Sequence, residues 1–119
     1  MTINYQKIAA VDPDQDNLNL YEFSLREFGY TVKTFIDPHN LLNYLNNNPK
    51  QVGLIIIEYI LSDMTSSVLA DKVYSIDPKI KIAIVTGYLK ITNNKRELEV
   101  ITKPITLKRM LKLVRKYIN

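Results

Sequence analysis

Residues 52–64 read VGLIIIEYILSDM, and Leu54 to Ile57 is an unbroken run of large aliphatic side chains. A strand with one wet face alternates apolar and polar residues. A continuous run belongs to a strand covered on both faces, the condition of a parallel sheet between two helical layers. This run closes on Glu58. A carboxylate at the end of a buried strand has to be paired, lie at the sheet rim or serve chemistry, because an isolated buried charge is too costly.

The rest of the chain fits that architecture. Further strands are expected at Lys7–Val11, Tyr30–Ile36, Ile80–Val85 and Glu99–Thr102. Between them lie helical patterns. Leu18, Tyr21, Leu25 and Phe28 fall on one helical face, and Gly29 follows where a C-terminal cap belongs. Asp37-Pro38 starts a second helix carrying Leu41, Leu42 and Leu45. A third is expected over Ser66–Ile76, with Val68, Leu69, Lys72, Val73 and Ile76 in helical spacing. The terminal helix has a core stripe of Leu107, Met110, Leu111, Val114 and Ile118. The stretch GYLKITNNKREL before the fifth strand is only weakly periodic, and periodicity alone does not establish a helix there. Strands alternating with helices predict an α/β fold, a doubly wound five-stranded parallel sheet, as a single domain over residues 1–119. A ferredoxin-like arrangement needs hairpin turns, and no hairpin turn signal is present.

Several functions are excluded or disfavoured by what the chain lacks. It has no cysteine, so disulfides and thiolate metal sites are ruled out. No stretch approaches the ~18 apolar residues of a membrane span. The first residues, MTINYQKIAAVD, do not read as a signal peptide, and a cytoplasmic location is expected. Three glycines and no P-loop argue against a nucleotide cradle, and no nucleophile–base pair suggests an enzyme. His39, the sole histidine, follows Asp37-Pro38 in a first helical turn and is expected at the surface rather than as a ligand.

In open α/β sheets, sites form beyond the carboxyl ends of the strands. Those ends are Asp12, Glu58, Thr86-Gly87 and Lys103-Pro104. Two carboxylates, a hydroxyl and an ammonium on one rim suit a hard cation and a phosphoryl group. With these residues in this order, the chain resembles the CheY-like receiver domains of two-component response regulators, from about residue 6 to residue 118. The resemblance implies a phosphorelay role in which Glu58 stands at the phosphoacceptor position. It matches Asp12 to the first metal-binding acid, Thr86 to the hydroxyl and Lys103 to the lysine that reads phosphoryl oxygens.

Two positions depart from the family pattern: Pro13 stands where a second acid is expected, and Glu58 stands where an aspartate is expected. Mg²⁺ binding through Asp12 and Glu58 is then weak or lost, with Asp14 a candidate replacement ligand. Glu58 is long enough to reach Lys103 and act as a permanent partial substitute for a phosphoryl group. The alternative is a purely structural ion pair in a decayed pocket. Val100 occupies the family's switch-aromatic position and Ser62 the usual proline position, and only 17 residues separate Thr86 from Lys103, several fewer than in the family, so the resemblance implies a fourth helix that is short, distorted or missing.

Charge is unevenly distributed. Residues 1–78 carry 5 Lys and Arg against 10 Asp and Glu, whereas residues 79–119 carry 11 against 2. Lys108, Arg109, Lys112, Arg115 and Lys116 form a basic stripe on the terminal helix, with Leu113 and Tyr117 expected on an exposed shoulder. With Val100 these residues make a candidate surface for an acidic signalling protein, a histidine kinase or output protein, or for a second copy of the chain. Nucleic acid is not expected, because no stacking pattern accompanies the charge. Three readings follow: an atypical stand-alone receiver acting as an interaction module without regulated aspartyl phosphorylation; a working receiver with weak Mg²⁺ binding; and a flavodoxin-like domain binding a polyanion through residues 90–116.

Overall fold

The computed structural model describes residues 4–87 and 98–118. The elements run β1 (Lys7–Val11), α1 (Gln15–Arg26), β2 (Val32–Phe35), α2 (Pro38–Asn47), β3 (Val52–Glu58), α3 (Ser66–Ile76), β4 (Lys81–Thr86), β5 (Glu99–Thr102) and α4 (Leu107–Tyr117). All five strands are parallel, in the order β2-β1-β3-β4-β5. This is the flavodoxin-type winding, whose switch in strand order falls between β1 and β3. The weakly periodic segment expected to hold a short or distorted helix lies outside the described residues.

Strand β3 is the axis of the molecule. Every residue from Val52 to Ile57 is buried, and burial relaxes only at Glu58. One set of side chains packs under α1 and α4, where Leu54 and Ile56 meet Leu18, Leu25, Met110 and Val114. The alternate set packs under α2 and α3, where Ile55 and Ile57 meet Leu41, Leu45, Leu69 and Val73. Two covered faces explain why the run could not alternate.

Capping explains where the helices begin. Asp14, Asp37, Thr65 and Thr106 each accept a backbone N–H of the first turn, from Asp16, His39, Val68 and Arg109 respectively. Helix α1 stops at Arg26, earlier than the expected stripe. The N–H groups of Phe28 and Gly29 turn back onto Leu25 and Arg26 carbonyls, and Gly29 takes φ +89°. Phe28 therefore points outward rather than into the core. Leu107 and Val68, each in the first turn of its helix, are likewise exposed. The expected strand at Tyr30–Ile36 is shorter, Val32–Phe35.

Gly53 marks a close approach. A Cβ there would overlap the Tyr5 carbonyl oxygen and lie 2.8 Å from Ile118 Cδ1. Backbone is on the other side of the contact, so relief requires the Tyr5 segment to move. Gly53→Ala is expected to destabilise the domain by about 1–3 kcal/mol in urea unfolding, the usual range for overpacking.

Candidate functional site

Register brings the strand-end residues together. Val11 lies opposite Ile57, so the next residues, Asp12 and Glu58, emerge side by side at the same rim. Thr86 lies opposite Thr102, which places Lys103 one step beyond the sheet. The Lys103 N–H donates to the Thr86 carbonyl at 2.7 Å, fixing the start of the β5–α4 turn. The Lys103–Pro104 peptide is cis.

Glu58 and Lys103 form the centre of the site. Lys103 Nζ donates to Glu58 Oε1 at 3.0 Å and lies 2.9 Å from Oε2. The Glu58 side chain is only 11% exposed, and Oε2 is sealed from solvent with no hydrogen bond of its own among the described residues. Burial pushes the Glu58 carboxyl above its ordinary value, Lys103 pulls it down, and the Asp12 charge adds a smaller upward push. Desolvation is the largest of these effects, so the ionised pair sits in a site that resists charge. Tyr21, buried under the same rim, has its hydroxyl pushed strongly up by burial first and then by Asp12 and Glu58.

Asp12 is buried and already occupied by the chain itself. Oδ1 accepts the Asp14 N–H at 2.8 Å, and Oδ2 accepts the Asn17 amide at 3.1 Å. Asn17 and Tyr21 are the site neighbours that the strand-end reading missed. Their positions, five and nine residues after Asp12, place both on the inner side of α1's first turns. Asp14 is not turned into the pocket as a replacement ligand; its Oδ1 accepts the Asp16 N–H at 2.9 Å as the α1 cap. Thr86 is buried at the end of β4.

A Mg²⁺ ion needs several oxygen ligands in near-octahedral geometry and gives up its water reluctantly. This rim supplies Asp12, with both oxygens accepting hydrogen bonds, and Glu58, neutralised by an ammonium group. Pro13 contributes no carboxylate. The residues present do not fit the Mg²⁺ site that the receiver pattern implies.

The basic stripe is partly as expected. Lys108, Arg109, Lys112, Arg115 and Lys116 are all exposed on α4, and Val100 is at the surface of β5. Leu113 is not: it is buried with Met110 and Val114. Tyr117 is half-buried and donates to Glu99 Oε2 at 3.1 Å. The buried arc of α4 is wider than the five-residue stripe, because this helix packs on the sheet and also meets the α1 side of the same core. Arg109 is held by the Thr102 and Pro104 carbonyls at 2.8 and 3.1 Å, and Lys116 by Glu99 at 3.4 Å. Between α1 and the start of α4, a groove of about 670 Å³ adjoins Lys103, lined by Asn17, Leu20, Tyr21, Ile105 and Leu107.

No protein-family model matches the chain. It is 24% identical over 116 residues to the response regulator receiver protein CpdR of Brucella abortus, covering 93% of this chain and 95% of that protein. A CheY-like response regulator receiver domain protein from Methanospirillum hungatei superposes with a TM-score of 0.84 at 25% identity, over 93% of this chain and 91% of that one. A response regulator receiver domain protein from Clostridium thermocellum gives 0.86 at 20% identity, over 93% and 92%. The fold is that of a receiver, CheY-like domain. Among the described residues no helix is long and apolar enough to cross a membrane.

The upward shift of Glu58 has a definite sign for stability. The native state holds this proton more tightly than the unfolded chain, so native stability falls as pH rises from the ordinary value of 4.5 through the raised native one. Glu58→Gln removes that loss. Relative to wild type, the variant's stability is expected to fall less as pH rises from 4.5 to about 8 in urea unfolding at matched ionic strength.

Proposed function

We propose that the chain is an atypical receiver domain of two-component signalling, held in one state by the Glu58–Lys103 ion pair and acting by binding other signalling proteins. The observation that carries this reading is the Lys103 Nζ contact with both Glu58 oxygens, at 3.0 and 2.9 Å. An aspartate at this position is shorter by one methylene and needs an added phosphoryl group to extend negative charge toward the lysine. Glu58 delivers that charge with its own carboxylate. The same contact opposes phosphoryl transfer to Glu58, because its oxygens are engaged and displaced from the position a shorter acid would hold. Misplacement by about 1 Å can cost a hundredfold in rate.

In this reading the domain is not an enzyme and works in the cytoplasm. Its partner, a kinase or an output protein, meets the α4 face and the adjoining groove. Lys108, Lys112 and Arg115 are exposed there, and Leu20 and Leu107 supply apolar surface beside them. Such a face suits an acidic protein. A two-fold pairing centred on α4 would set the same basic stripe against itself, which disfavours a homodimer through that stripe.

The test is an amide-resolved NMR titration of the chain with Mg²⁺, then with Mg²⁺ and beryllofluoride, a phosphoryl analogue. The expected result is no specific shift at Asp12, Glu58, Thr86 or Lys103. Saturable shifts at those residues that spread to α4 would identify a working, switchable receiver and overturn the proposal.

A further inference from the structure

We propose a second site, separate from the Glu58 rim pocket: Asp37, His39 and Asp63 form a surface site for a divalent cation of the zinc type. Each residue offers one ligand atom, and the three atoms lie within 4.8 Å of one another. The ligands come from two distant parts of the chain. Asp37 and His39 flank Pro38 at the start of α2, while Asp63 lies between β3 and α3. Strands β2 and β3 lie on either side of β1, so the two segments meet across the carboxyl end of β1.

Two of the ligands are held in place before any ion arrives. Asp37 Oδ1 accepts the His39 N–H at 2.8 Å and lies 2.9 Å from His39 Nδ1. These contacts with His39 orient the Asp37 carboxylate at the start of α2. Asp63 makes no hydrogen bond or ion pair with the other described residues outside this group. It brings a second carboxylate within reach of the first. A cation is the species that relieves this arrangement.

The donor set selects the ion. An imidazole nitrogen favours borderline cations such as Zn²⁺ and Co²⁺ over the hard ions Mg²⁺ and Ca²⁺. Two carboxylate oxygens and one nitrogen leave the remaining positions to water, as in open zinc sites. Asp63 follows Glu58 by five residues, so a bound ion would tie the segment leaving the rim pocket to the start of α2. The inference does not rest on the reading of Glu58: an ion would bind at these three residues whether or not the rim pocket switches.

The experiment is calorimetric titration of the full chain, free of any purification tag, with ZnCl₂ and separately with MgCl₂, followed by NMR of the histidine ring. Because His39 is the sole histidine, its imidazole signals report on this site alone. One Zn²⁺ is expected to bind per chain, at least about tenfold more tightly than Mg²⁺. The His39 ring and the amides of residues 60–66 are expected to shift. His39→Ala and Asp63→Asn, both at exposed positions, should each weaken Zn²⁺ by roughly tenfold or more, and Glu27→Gln, at an unrelated exposed acid, should leave it unchanged. Amide spectra of the variants confirm that they remain folded. The proposal is overturned if folded variants bind Zn²⁺ as wild type does, if the shifts centre on Asp12 and Glu58 instead, or if no binding is seen up to millimolar Zn²⁺.

Discussion

A strand covered on both faces has no side on which to place a charge, and β3 is such a strand from Val52 to Ile57. Its first polar side chain can appear only where the covering helices end, at the rim. That constraint puts Glu58 beside Asp12 and within reach of Lys103. The rest of the site follows from parallel pairing, because every strand of a parallel sheet delivers its carboxyl end to the same edge. Four polar residues from four strand ends are thereby gathered at one rim without any long-range design of loops.

What the rim does with those residues depends on one methylene and one missing acid. Glu58 carries its carboxylate far enough to engage the Lys103 ammonium directly, and Pro13 denies Asp12 a neighbouring acid. Asp12 turns to the Asp14 N–H and the Asn17 amide instead. Both Asp12 oxygens and Glu58 Oε1 thus accept hydrogen bonds from the chain itself, while Glu58 Oε2 has only the nearby Lys103 charge. In the proposed reading the Glu58–Lys103 contact favours a single arrangement over two, since an alternative must break a largely buried charged contact. On the proposed reading, the adjoining groove and the exposed cations of α4 are a fixed surface rather than a switched one.

Much of this was legible in the sequence. The boundaries of α3 and β5 were readable from Asp77-Pro78 and from EVIT before Lys103-Pro104, because proline and capping residues act locally. The Glu58–Lys103 pairing was readable because strand ends converge in any parallel sheet. Side-chain orientation near helix ends was not. Phe28 continues the helical spacing of α1, but a turn closed onto Leu25 and Arg26 carries it outward. Leu113 looks like a shoulder residue on a wheel, yet α4 lies in a trough wide enough to bury it. Both errors share a cause: periodicity gives the direction of a face but not the width or the length over which a neighbour covers it. The meeting of His39 with Asp63 was equally hidden, since it depends on how two loops cross above β1.

The central claim is that a buried, charged Glu58 is held at the rim by Lys103. The most direct measurement follows the Glu58 side-chain carboxyl carbon by NMR as pH is varied, in the wild type and in Lys103→Met. The account predicts that Glu58 titrates above its ordinary value of 4.5 in the wild type and higher still once the ammonium is removed. A Glu58 that titrates at the ordinary value and ignores the loss of Lys103 would mean that the carboxylate faces water and that the pair does not hold the site.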